Sequence, residues 1–131
     1  MLSNSNLFSF IAEVPAKWKL TPDSIFHVVM PTFHIAGSGA GIVSFAMGAP
    51  IILDRDVDPS AILREIEEHR ITHAVYVPAV LAFLQMVPNA HDHDLSSMRM
   101  VAYGASPITE GVLRGAMAQF STSEFVQVYG L

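Results

Sequence analysis

"ITHAVYVPAVLAFL", residues 71–84, decides how the fold is read. From Ala74 to Val77 the run is apolar without alternation, the pattern left by a strand buried on both faces of a parallel sheet. Pro78 separates it from a second apolar stretch that is long enough for a helix. The spacing predicts a strand over 72–77 and a helix over 79–87, which together make one βα unit.

The same alternation continues outward in both directions. Further strands are predicted at 25–30, 50–53, 99–103 and 125–129, with helices at 5–17, 38–47, 59–69 and 109–119. Asp58 before Pro59 is a start signal, because an Asp side chain caps free amides and proline suits the first helical turn. Ile62 and Ile66 then share one face. Repeated βα units predict an α/β fold: a layered, mostly parallel sheet with flanking helices. No repeat, low-complexity tract or linker divides the chain.

The 131 residues are 51% apolar, enough for one sizeable core. Seven basic against twelve acidic residues give a net charge of -5, with no Lys/Arg cluster, so a nucleic-acid partner is not expected. The absence of cysteine excludes disulfides, thiolate catalysis and cysteine zinc sites, and fits a cytoplasmic setting, with peripheral membrane attachment as the alternative. Ile25 to Leu53 carries no charged side chain and exceeds the roughly 18 residues of a membrane-span candidate. Pro31, Pro50, His27, His34 and four glycines break it, so it parses as strand, turn, short helix and strand. The opening "MLSNSNLFSF" has neither the basic start nor the cleavage signature of a signal peptide.

Chemistry concentrates in "MPTFHIAGSGAG", residues 30–41. Gly37, Gly39 and Gly41 followed by Asp54 suggest a dinucleotide unit, in which glycines admit a pyrophosphate and the acid holds a ribose. The third glycine of that fingerprint would fall at Ile42, however. A plain glycine turn that lets a helix approach a strand is the competing reading. His34 lies just past a strand's carboxyl end, where open α/β sheets bind ligands. "HDHD" at 91–94 offers metal-ligand types but reads as a solvated turn, and no metal site is expected. No G-x-S-x-G elbow is present, and neither Ser38 nor Ser106 has an obvious base.

Several segments in order, "MPTFHIAG", "ITHAVYVPAVLAFL", "DLSSMR", "VAYGASPITEGV" and "VYGL", resemble the adenylate-forming acyl-CoA synthetases, relatives of luciferase and coumarate ligase. The likeness spans nearly the whole chain. It implies that residues 1–131 are an internal part of the large AMP-binding domain, between its phosphate-binding loop and its Y-G-x-T-E motif. The implied enzyme is an ATP-dependent acid-thiol ligase. It activates a carboxylic acid as acyl-AMP and passes it to coenzyme A, with ATP, Mg²⁺ and coenzyme A required. The Thr and Glu implied to touch phosphate and Mg²⁺ fall beyond this sequence, so the isolated chain is expected to be inactive, and to self-associate through uncovered apolar surface.

The resemblance also implies residue roles. His34 becomes the catalytic histidine beside the carboxylate, with Ala36 and Gly37 as acyl-pocket wall. Gly104, Ala105, Ser106 and Pro107 become the loop that approaches adenine. Tyr129 and Gly130 become the purine-facing aromatic and its glycine. Tyr103 and Val128 depart from the family by adding bulk near the acid. Gly39, Ala40 and Gly41 keep another wall small, which points to a medium or long fatty acid.

Overall fold

The computed structural model describes residues 3–130. Along the chain run α1 (Asn4–Lys17), β1 (Phe26–Val28), α2 (Ile35–Ala46), β2 (Ile51–Leu53), α3 (Pro59–His69) and β3 (His73–Tyr76). Then follow α4 (Pro78–Gln85), a 3-10 turn (Ala90–Asp92), β4 (Met100–Gly104), α5 (Glu110–Gln119) and β5 (Glu124–Val128). All five strands are parallel, in the order β2-β1-β3-β4-β5. The chain turns from one direction to the other across the sheet between β1 and β3, a topological switch point.

Strand alternation sends side chains to two separate cores. Phe26, Val28, Val75, Met100 and Ala102 pack with Trp18 and Leu20 and with Ala40 and Val43 of α2; Phe10 and Val14 of α1 lie against them. Ala74, Tyr76, Val101 and Tyr103 pack with Ile62 and Ile66 of α3, Leu81 and Leu84 of α4, and Ala116 of α5. Both faces of the sheet are therefore covered, which is why β3 and β4 are buried along their whole length. The unbroken apolar run at 74–77 has this cause.

Helix starts follow local chemistry. Asp58 Oδ1 accepts the Ser60 and Ala61 amides at 2.9 and 3.3 Å, and Pro59 opens α3 as expected. Ser3 and Asn6 form a reciprocal capping box on α1. The predicted helix over 38–47 starts three residues earlier, at Ile35, because His34 supplies the cap. Gly37, Gly39 and Gly41 are consequently helical and form no turn, which corrects the glycine-turn reading.

Gly37 is required for a packing reason. A Cβ there would collide with the Met30 and Pro31 carbonyl oxygens and sit 2.7 Å from the Pro31 carbonyl carbon. The loop after β1 thus lies directly on the first turn of α2. No helix among the described residues is long and apolar enough to cross a membrane.

Candidate functional site

The candidate residues gather at the carboxyl edge of the sheet, where β1, β4 and β5 release the chain into loops. His34 ends the loop from β1 and caps α2. The Ala36 N–H donates to His34 Nδ1 at 3.2 Å. Its backbone N–H donates to the Pro31 carbonyl at 3.0 Å, and the Ser38 hydroxyl donates to the His34 carbonyl at 3.0 Å. With Nδ1 engaged as an acceptor, the neutral ring carries its proton on Nε2. The exposed imidazole therefore presents an N–H donor at the sheet edge.

Gly104 is the last residue of β4 and pairs in register with Val128 of β5. A Cβ at Gly104 would run into the Val128 carbonyl oxygen and lie 2.8 Å from Val128 Cγ2. The glycine thus lets the ends of two strands close together. Ala105 follows with φ +69°, a left-handed conformation that costs an L-residue about 1–2 kcal/mol. Ser106 and Pro107 are exposed, and the Thr109 hydroxyl accepts the Val112 amide to cap α5. Backbone strain that persists at such a loop suits a site held ready for a ligand. Replacing Ala105 by glycine should relieve it and raise stability to denaturant by about 0.5–1 kcal/mol, read as a shift in the unfolding midpoint.

The register Gly104↔Val128 makes Ala105 and Tyr129 the first residues beyond two paired strand ends. Tyr129 is 87% exposed, so its ring is available as a flat stacking surface. Gly130 follows it, and among the described residues nothing beyond its chain neighbour lies within 4 Å of a would-be Cβ there. Leu131 lies outside the described residues.

Other candidates are placed differently. Tyr103 is only 8% exposed and its ring centroid is 6.3 Å from that of Phe125, on the α5 side of the sheet. Val128 faces the α2 side. The sheet separates them, so they do not form one wall. Ala36 packs on the core beneath the loop, and the space beside Gly37 is filled by backbone. Open space instead adjoins Gly41, where nothing lies within 4 Å of a would-be Cβ. Gly39 packs against Phe10 and Ile35.

The rival readings are corrected by geometry. Dinucleotide binding needs glycines in a strand-to-helix turn, whereas these are inside α2, and Asp54 is bonded to His27, with Oδ2 3.0 Å from Nε2. In the "HDHD" stretch Asp94 forms an ion pair with Arg70 at 2.6 Å and His93 Nδ1 lies 2.9 Å from Glu67 Oε2, so these side chains are engaged with α3 and the residue after it. Sequence reading passed over the Asp54–His27 contact. Its one signal was a histidine inside an apolar strand, because a buried imidazole needs partners.

Comparison with known proteins identifies the family and the fold. The family model for AMP-binding enzymes matches residues 1–131. A medium/long-chain-fatty-acid–CoA ligase of Mycobacterium tuberculosis, FadD8, is 36% identical over 115 residues, covering 88% of this chain and 20% of its own length. The 4-coumarate–CoA ligase 2 of Solanum tuberosum is 27% identical, covering 100% of this chain and 25% of its own. The chain thus spans about a fifth to a quarter of these curated relatives. Among solved structures, the amide bond synthetase McbA of Marinactinospora thermotolerans superimposes with a TM-score of 0.83 at 26% identity, over 95% of this chain and 24% of that one. The N-terminal domain of FACL13 from Mycobacterium tuberculosis does so with 0.80 at 25%, over 93% and 31%. A helix-capping histidine after β1, a strained small-residue loop after β4 and a free tyrosine after β5 stand on a chain that belongs to the AMP-binding enzyme family.

Proposed function

We propose that this chain supplies the acid- and adenine-facing edge of an ATP-dependent acyl-CoA ligase, with residues 1–131 forming an internal part of its AMP-binding domain. In the proposed reaction a carboxylate oxygen attacks the α-phosphorus of ATP and pyrophosphate leaves. The coenzyme A thiol then attacks the acyl carbonyl and AMP leaves. The observation that carries the reading is the pairing of β4 with β5 up to Gly104↔Val128, so that the Ala105–Pro107 loop and the exposed Tyr129 leave adjacent strand ends.

A flat heteroaromatic ring fits that arrangement: Tyr129 offers a π-face and residues 105–107 offer exposed, closely approachable backbone. His34, residues 105–107 and Tyr129 include no carboxylate, so these residues do not fit Mg²⁺, and no role in holding it is assigned to them. His34 Nε2–H is the group suited to the acyl carboxylate. A donor aimed at developing negative charge stabilises it most when it is already oriented, and the cap on Nδ1 orients this one.

The test is the full-length protein with ATP, Mg²⁺, coenzyme A and a panel of acids. Acid-dependent pyrophosphate release with acyl-CoA formation supports the ligase. Nucleotide binding without pyrophosphate release would make it a non-catalytic relative. The open space at Gly41 supports a medium or long acyl chain; turnover favouring acetate would contradict that choice. Tyr129→Ala should raise KM for ATP about tenfold with little change in acid KM, since aromatic stacking on a base contributes about 1–3 kcal/mol.

The chain on its own is proposed to self-associate. Phe33 and Phe45 are 93% and 83% exposed, on and beside α2. Sedimentation should show weight-average mass rising with concentration, and a compact monomer throughout would refute this.

A further inference from the structure

We propose that His27, Asp54 and Glu65 form a binding site for a divalent cation of the zinc or manganese type, beneath α3. The His27 side chain is wholly buried on β1, Asp54 follows β2, and Glu65 reaches in from α3. His27 Nε2 lies 3.0 Å from Asp54 Oδ2 and 3.4 Å from Glu65 Oε2. One ligand atom from each residue can be chosen so that all lie within 4.8 Å of one another. A cation about 2.0–2.2 Å from nitrogen and oxygen ligands that subtend tetrahedral or octahedral angles separates them by roughly 2.9–3.5 Å. Both measured separations fall in that interval.

A second observation points the same way. Glu65 Oε2 is sealed from solvent and has no hydrogen-bond partner, an uncommon state for a carboxylate oxygen. It is aimed at the imidazole nitrogen that a cation would use. The other ring nitrogen, Nδ1, is 3.1 Å from the hydroxyl of the fully buried Tyr76. This is the outer contact by which metal-binding histidines are commonly oriented. With the cation on Nε2, the ring proton sits on Nδ1 and is donated to the Tyr76 oxygen.

Charge supports the assignment. The buried His27 ring turns one nitrogen, Nε2, toward two carboxylates, and a neutral imidazole nitrogen is a common metal ligand. Asp54 and Glu65 bring two carboxylates to this one imidazole nitrogen, with 9% and 22% of their side chains exposed. Ionised, they leave two negative charges beside a neutral ring. The other charged groups acting on the site are His69, one turn along α3, and Arg64. A divalent cation neutralises both carboxylates; a proton shared between Asp54 and Glu65 is the competing occupant.

The probe is Co²⁺, added to the full-length protein after chelator stripping, with Zn²⁺ as competitor. One equivalent should give a visible absorption band that Zn²⁺ removes. Glu65→Gln and Asp54→Asn should each weaken binding tenfold or more, and His91→Ala with His93→Ala should leave it unchanged. Glu65→Gln is the decisive variant if Asp54→Asn fails to fold, because Glu65 Oε2 has no hydrogen bond to lose. Unchanged affinity in Glu65→Gln, absence of saturable binding, or loss of binding in the His91/His93 variant would overturn the site. So would a protonated-carboxyl infrared band that Glu65→Gln removes but saturating Zn²⁺ does not, which would assign the space to the proton.

Discussion

His34→Ala should lower kcat/KM of the proposed full-length ligase about a hundredfold, and His34→Asn should leave it equally low while restoring stability. The two effects should separate because the cap engages one ring nitrogen and the proposed catalytic contact the other. Nδ1 accepts the Ala36 amide and starts α2; losing such a cap costs about 1 kcal/mol. Asparagine caps helix starts well and would recover this term. Nε2–H points away from the helix, and removing one preorganised donor from a reacting oxyanion typically costs 10²–10³ in rate. The checks are acyl-CoA formation and the urea midpoint of all three proteins. Equal activity in the asparagine variant and the parent would assign His34 to capping alone.

Gly37→Ala should destabilise the protein by about 3 kcal/mol or more and carry His34 out of position. The new methyl has no direction in which to move. It meets two backbone carbonyls, of Met30 and Pro31, and a backbone cannot swing aside as a flexible side chain can. Overpacking of this kind costs about 1–3 kcal/mol even where side chains can yield. Because the Pro31 carbonyl also accepts the His34 amide, displacement of that loop moves the imidazole. The urea midpoint should fall and kcat/KM should fall with it. At Gly41, by contrast, alanine meets nothing within 4 Å, and any effect should be confined to long acyl chains.

The strands were legible because burial on both faces writes an unmistakable pattern: 72–77 was expected and His73–Tyr76 is found, 99–103 was expected and Met100–Gly104 is found. α3 was legible to the residue because Asp58 and Pro59 announce its start chemically. α2 was misplaced because a histidine is a less common cap than Ser, Thr, Asp or Asn, and three glycines weigh against a helix in any local reading. At Gly37 and Gly39 the reason is a close approach to Met30, Pro31 and Phe10, residues that a local window cannot place. The ends of β1, β4 and β5 could be put at one edge from parallel topology alone. Which face each side chain takes could not, and Tyr103 and Val128 fell on opposite sides. His27, Asp54 and Glu65 sit on three separate elements, so no local spacing announced them.

β5 stands last in the strand order and has one hydrogen-bonded neighbour, β4, among the described residues. Outer strands open at lower free energy than central ones, and Tyr129 hangs on the end of this one. If a purine seats at that ring as proposed, its affinity for this chain would contain the work of keeping β5 zipped to β4. A ligand seated there would act as a clasp on the sheet's margin, so that holding the nucleotide and holding the strand become a single equilibrium.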